Sequence, residues 1–259
     1  MNENREGTPK KIMAVVAHPD DADFMAAGTL SKWAKEGCAI VYLLCTSGDK
    51  GTSDPEVKPE ELASIREKEQ NNACRVVGGK QVIFLRYEDG MLQNTLGLRK
   101  DIVRQIRIHQ PDVIICQDPT NRYGDSNINH PDHRAAGDTT LDAIFPSARD
   151  YHMFPELVKE EGLLPHKVLE VYLSTRESNA SVWIDITDTV EIKISALREH
   201  ASQVGTDEES LKRLETRIKQ RSSDVGASHA MKYAEAFKYT NDKIIELAKT
   251  IEFDKVAAI

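Results

Sequence analysis

Between residues 12 and 116 the chain alternates short apolar runs with stretches whose apolar residues recur at helical spacing, and nothing else in it narrows the fold as much. The run at 12–17 predicts a strand. After His18 and Pro19, residues 23–35 place Phe24, Ala27, Leu30, Trp33 and Ala34 at helical intervals. Gly37 stands where a helix C-terminal cap is expected, and 39–45, with Ile, Val and Tyr, reads as a second strand. A polar loop over 46–59 leads to a helix carrying Leu62, Ile65, Ala73 and Val76, stopped by Gly78 and Gly79, and then to a strand over 81–85. A helix over 96–109, Pro111 and a strand over 113–116 complete the series. This order predicts an α/β fold, Rossmann-like, with a mostly parallel sheet covered by helices on both faces.

The rhythm breaks after residue 117. Residues 117–129 are polar and turn-rich, with Pro119 and Gly124, as expected of an exposed loop that carries function. A helix from Pro131 to about Ile144 follows, then two more exposed strands at 167–173 and 182–186. Helical spacing returns over 187–203 and 207–221, and Thr206 to Glu209 has the form of a capping box. The charged 207–221 helix suits a solvated face or an oligomer contact. Without a repeat, low-complexity tract or clear linker, the expected division is one domain over 1–259 with a C-terminal helical extension from about 187 to 259.

Composition removes several classes of function. A formal charge of −8 confines any polyanion footprint to a local patch, so nucleic acid is not expected as a main partner. The longest apolar runs, at 40–45 and 113–116, fall far short of the roughly 20 residues that cross a bilayer. The opening MNENREGTPK lacks an apolar stretch for a secretory signal, and a cytoplasmic location is expected. Cys38, Cys45, Cys74 and Cys116 form no CxxC pair and read as small buried hydrophobes.

His-Pro-Asp occurs twice, as His18-Pro19-Asp20-Asp21 and as His130-Pro131-Asp132-His133, each opening a helix with proline at its first position and the histidine at its cap. The first follows the first strand directly, on the carboxyl edge where open α/β sheets build their sites. Imidazole nitrogen and carboxylate oxygen are the ligands of catalytic zinc, commonly three from protein. A hydrolase also needs a base for the water and a donor for the oxyanion. The two motifs supply three His and three Asp, enough for every one of these roles.

These residues resemble a known family. AHPDDADFMAAGTL looks like the AHPDD signature of the LmbE-like, or PIG-L, zinc-dependent N-deacetylases, and NHPDHRAAG like their HPDH element, in the same order and spacing. The likeness extends to the helix holding Ile65-Arg66-Glu67-Lys68-Glu69. It covers residues 11–145 well and the rest more loosely, through Trp183-Ile184-Asp185-Ile186 and Tyr233-Ala234-Glu235-Ala236-Phe237. It implies that His18, Asp21 and His133 bind one zinc per subunit, that Asp20 is the general base, and that His130 polarises the amide carbonyl. Asp132 would orient a histidine, and Arg66 would hold a sugar hydroxyl or an acidic group, a same-helix salt bridge to Glu67 or Glu69 being the plain alternative. Asn121 and Tyr123, in the loop before His130, are further candidates for substrate contact. The sequence departs from the common motif at Ala22-Asp23, where relatives often carry Glu. The resemblance also implies a homo-oligomer, trimer or hexamer, acting on a small N-acetylated sugar.

The leading expectation is therefore a zinc-dependent amidohydrolase that removes acetyl from an N-acetylglucosamine-type conjugate. A catalytically silent metal-containing glycan binder is an alternative from another class, disfavoured by the intact Asp20. Another metal-dependent amidase and a metallophosphatase are alternatives among enzymes. A dinucleotide-binding protein is disfavoured, since no G-x-G-x-x-G or P-loop follows the first strand and two carboxylates there would repel phosphate. His109, His152, His166, His200 and His229 have no partner motif and read as surface or core residues.

Overall fold

The computed structural model describes residues 11–124 and 127–241. Seven strands, β1 (Lys11–Val16), β2 (Ala39–Thr46), β3 (Gln81–Tyr87), β4 (Val113–Gln117), β5 (Glu170–Ser174), β6 (Val182–Asp185) and β7 (Ala234–Asn241), form one sheet in the order β3-β2-β1-β4-β5-β7-β6. Pairings from β3 across to β5 are parallel, while β7 runs antiparallel to both β5 and β6. The sheet is thus mostly parallel, as the alternation predicts.

Side chains on successive strand residues point to opposite faces, and the central strands are apolar on both. Ile12, Ala14, Ile40, Tyr42, Val113 and Ile115 pack under α1 (Asp21–Lys35) and α2 (Pro59–Val77). Met13, Val15, Leu43, Ile114 and Cys116 pack under α3 (Leu96–His109) and α4 (Pro131–Asp142). Gly78 ends α2 in the left-handed conformation, at φ 90°, where a side chain would be strained.

The chain leaves β1 toward β2 on one side, and β4 joins β1 on the other. Between the carboxyl ends of β1 and β4 the connections therefore diverge, which opens a crevice at the point where such sheets bind ligands. His18-Pro19-Asp20-Asp21 follows β1 directly, and His130-Pro131-Asp132-His133 starts the helix that follows β4.

The C-terminal third differs from its expectation. After α5 (Pro155–Lys159), β5 and β6 come α6 (Val190–Arg198), α7 (Ala201–Val204) and α8 (Glu208–Ala227), whose apolar residues Val190, Ile194, Leu197, Leu214 and Ile218 cluster with Phe24 of α1. The expected extension over 187–259 is thus helical as far as Ala227. Residues 234–241, however, are β7, inserted between β5 and β6, and 242–259 lie outside the described residues. The capping box expected at Thr206 is replaced by Asp207, whose side chain accepts from Ser210 N. Among the described residues no helix is long and apolar enough to cross a membrane. All four cysteines are free and buried.

Candidate metal centre and active site

At the end of β1 the backbone turns sharply into α1, and Asp20, not His18, occupies the N-cap. Asp20 has φ 90°, in the left-handed region that residues with side chains rarely enter. Such strain costs about 1–3 kcal/mol and persists where neighbours over-determine it. Two residues of α2 do so here. Asp20 N donates to Gln70 Oε1 at 2.9 Å, and the Arg66 guanidinium donates to Pro19 O at 2.7 Å and Gly48 O at 2.9 Å and lies 3.4 Å from Asp20 Oδ2. Arg66 is 4% exposed and directs these donors at its own chain. Glu67 and Glu69, its expected same-helix alternatives, bond Arg86 and Ser202 instead.

At the other motif, Pro131 takes the first position of α4 and His130 caps the helix, its Nδ1 accepting from Asp132 N at 3.2 Å. The two motifs meet face to face. His18 Nδ1 lies 3.3 Å from His133 Nε2 and 3.3 Å from Asp21 Oδ2, and Asp21 Oδ1 lies 3.1 Å from His133 Nε2. On its far side His18 Nε2 faces Asp89 Oδ1 at 3.0 Å and Asp132 Oδ2 at 3.3 Å, and His133 Nδ1 faces Asn129 Oδ1 at 3.2 Å. Each ring's outer nitrogen thus meets an oxygen acceptor, which favours a proton there and leaves the inner nitrogen facing the other motif.

Two ring nitrogens and a carboxylate so close together favour positive charge between them, whether a proton or a metal ion. With zinc-to-nitrogen bonds of about 2.0–2.1 Å, the edge of a tetrahedral site is about 3.3 Å, which the two ring nitrogens match, while Asp21 sets one oxygen 3.3 Å from His18 Nδ1 and the other 3.1 Å from His133 Nε2. The donor set therefore fits a divalent metal held by His18, Asp21 and His133. His18 also belongs to two wider groups, with His130 and His133 and with Asp89 and Asp132, whose donor atoms lie within 4.8 Å of one another.

The electrostatics agree. Burial opposes protonation of His18, yet bonds to Asp132, Asp21 and Asp89 outweigh it and raise the pKa to about 12. Burial likewise acts against ionisation of Asp21, but His133 and His18 hold it well below the usual carboxylate range. Asp20 is pushed up to about 7, by burial first and the Asp21 charge second, against the pull of Arg66, His200 and His18. His130 is held below its ordinary value, by burial first and then by the His18 charge. The cluster thus sets charges that favour a cation beside a carboxyl group raised toward neutrality.

Of the expected site residues, His18, Asp20, Asp21, His130, Asp132 and His133 converge. Asp132, fully buried, also accepts from Gly90 N at 2.7 Å and Leu92 N at 3.2 Å. Asn121 stands one layer back, its carbonyl accepting from Asn129 Nδ2 at 2.7 Å, behind the residue that holds His133. Tyr123 bridges to Ile128, is 75% exposed and bonds none of the metal donors. Asp89, Gln70 and Gln117 escape the sequence motifs, and Asn129, which opens the NHPDHRAAG stretch, carries no expected role there. Gln117 Nε2 donates to Asp21 Oδ2 at 3.0 Å while its Oε1 accepts from Ala17 N at 3.1 Å. Asp89 and Gln117 share one legible signal: each is a polar residue at the carboxyl end of a strand.

Residues 13–144 match the family described as PIG-L, GlcNAc-PI de-N-acetylase. A diacetylchitobiose deacetylase of Thermococcus kodakarensis is 35% identical over 199 residues, 76% of this chain and 72% of the relative. A probable N-acetyl-alpha-D-glucosaminyl L-malate deacetylase of Bacillus anthracis is 27% identical over 79% of this chain and 86% of its own. Among solved structures, the N,N'-diacetylchitobiose deacetylase of Pyrococcus horikoshii superposes with a TM-score of 0.81 at 28% identity, covering 90% of this chain and 84% of that one. With its two motifs facing across the β1/β4 crevice and these likenesses over most of its length, the chain belongs to the PIG-L (LmbE-like) family.

Proposed function

We propose that the protein is a metal-dependent N-deacetylase that hydrolyses the acetamide of an N-acetylglucosamine-type sugar or conjugate. The observation that carries the proposal is the convergence of His18, Asp21 and His133, with donor atoms 3.1–3.3 Å apart and Asp20 next in sequence to Asp21. A divalent cation, zinc in the first instance, would lower the pKa of a water and polarise the acyl oxygen. The names of the relatives, deacetylases of chitobiose and glucosaminyl substrates, support the reaction class.

The chain's own residues take the following parts. Asp20, next in sequence to the ligand Asp21, accepts the proton of the attacking water. His130 Nδ1 accepts from Asp132 N, so the proton of its neutral ring is assigned to Nε2, where it hydrogen-bonds the oxygen of the acyl group as charge develops. The proton that Asp20 took from the water then passes to the departing amine, so that His130 stays neutral and the Asp20 carboxylate is restored. Asp132 and Asp89 hold His18 from behind, and Asn129 holds His133. Arg66 and Asn121 act through Asp20 and Asn129, which leaves Tyr123, exposed on the loop before His130, to meet the substrate.

The absence of a membrane-crossing helix among the described residues fits a cytoplasmic enzyme with a small polar substrate. We propose a homo-oligomer, for which a trimer or hexamer would be the first forms sought by light scattering. Assay of Asp20→Asn tests the reaction: it should bind metal normally and release little acetate, and a fully active Asp20→Asn enzyme would overturn the mechanism.

A further inference from the structure

Asp23, in the Ala22-Asp23 pair where the sequence departs from the common motif, is fully buried, and nothing in the proposed chemistry uses it. Its carboxylate accepts three hydrogen bonds from three elements: Tyr42 Oη of β2 at 3.0 Å, Gln70 Nε2 of α2 at 2.8 Å and His200 Nε2, at the corner before α7, at 2.8 Å. Gln70 and His200 are fully buried as well. The other end of the Gln70 amide, Oε1, accepts from Asp20 N.

The sense of this chain of bonds is fixed by chemistry. A backbone N–H only donates, so the carbonyl of Gln70 must turn to Asp20 N–H and its NH2 is left to donate to Asp23. We infer that Asp23, Gln70 and His200 form a positioning relay that holds the Asp20 peptide in its left-handed conformation and so sets where the Asp20 carboxylate stands beside the metal site. The importance attached to Asp20 rests on the deacetylase reading above; the relay itself does not. Through it the corner between α6 and α7 reaches the site. That corner is fastened further by Ser202 N and Oγ to Glu69, each at 2.7 Å, and by Gln203 Nε2 to Gly51 O at 3.1 Å. Asp23, Gln70 and His200 are positioning residues, since none of them touches the reacting atoms.

The test reverses the polarity of the relay without changing its shape. Asp23→Asn presents an NH2 where Gln70 also presents one, and Gln70→Glu places two carboxylates against each other. The double variant Asp23→Asn/Gln70→Glu restores a complementary pair: the new amide donates to the new carboxylate, which still accepts from Asp20 N–H, and its second hydrogen goes to His200 Nε2 in the neutral ring.

Two readouts are taken on the metal-loaded full chain. Amide hydrogen exchange at Asp20 should quicken at least about tenfold in each single variant and return to within about threefold of wild type in the double. On N,N'-diacetylchitobiose, kcat should fall at least about tenfold in each single variant with KM within about twofold, and recover in the double. Unchanged exchange at Asp20 in the single variants, or a double variant whose losses multiply, overturns the relay. If the wild type releases no acetate, the deacetylase reading falls while the exchange measurement still decides the relay.

Discussion

Asp20 and Asp21 are adjacent and chemically identical, yet the turn between β1 and α1 gives them different surroundings. The Asp21 carboxylate lies among His18, His133 and Gln117, whereas the Asp20 carboxylate lies against Arg66. In the proposed mechanism one holds the metal and the other moves a proton, which separates their variants. Asp20→Asn should retain one equivalent of metal by elemental analysis and lose about 100-fold or more in kcat, the usual share of a general base. Asp132→Asn should act differently, because it loosens the carboxylate that orients His18. We expect zinc affinity to drop about 10- to 100-fold, measured by competition with a chelating dye, and unaltered affinity would remove Asp132 from that role. The six residues of the repeated His-Pro-Asp pattern were legible because each motif is short and local. Asp89 and Gln117 were not, because each works through a partner distant in sequence, such as Gln117 on Asp21 across 96 positions; Asn129 is only four residues from His133, but a lone Asn before a motif carries no distinctive spacing. Arg66 was legible as a site residue but not in its partners, since the carbonyls of Pro19 and Gly48 leave no mark in composition or spacing.

Among the elements, the four leading β/α units followed directly from apolar periodicity, and α3 occupies the expected 96–109. β7 did not follow. Ala234, Glu235 and Ala236 favour a helix intrinsically, and only pairing with β5 and β6 makes the segment a strand. That pairing buries Glu235, at 5% exposure, and the fold compensates with Lys193 of α6 at 2.6 Å and the backbone N–H groups of Gly28 and Thr29 in α1 at 3.2 and 2.8 Å. Lys193 Nζ also reaches Phe24 O at 2.8 Å, so one ion pair ties α1, α6 and β7 together. Lys193→Met would leave Glu235 buried without its cation, and we expect about 3–5 kcal/mol less stability in urea unfolding. A loss below about 1 kcal/mol would show that the pair is not what secures these elements. The capping box failed for a related reason: Thr206 and Asp207 both have capping side chains, and the structure takes the second.

For the molecule as a whole, part of the acidic content is gathered at one place. Asp20, Asp21, Asp89 and Asp132 crowd the β1/β4 crevice, where a dication would offset part of their charge. The rest of the chain supports that crevice. Since β7 lies within the sheet and α6 packs on α1 and α2, we propose that residues 187–241 belong to the same folding unit as the β/α core. Ending the chain after Ile186 should therefore abolish the cooperative thermal transition followed by circular dichroism, and a truncated protein that melts like wild type would show an independent extension. The central claim, that the two His-Pro-Asp motifs build one metal site for amide hydrolysis, is tested most directly by acetate release from N,N'-diacetylchitobiose and other N-acetylglucosaminides. The zinc-loaded protein should release acetate and free amine one for one, lose that activity when the metal is removed by a chelator, and regain it when zinc is returned. Absence of acetate from every substrate, or a rate unaffected by metal removal, would contradict the claim.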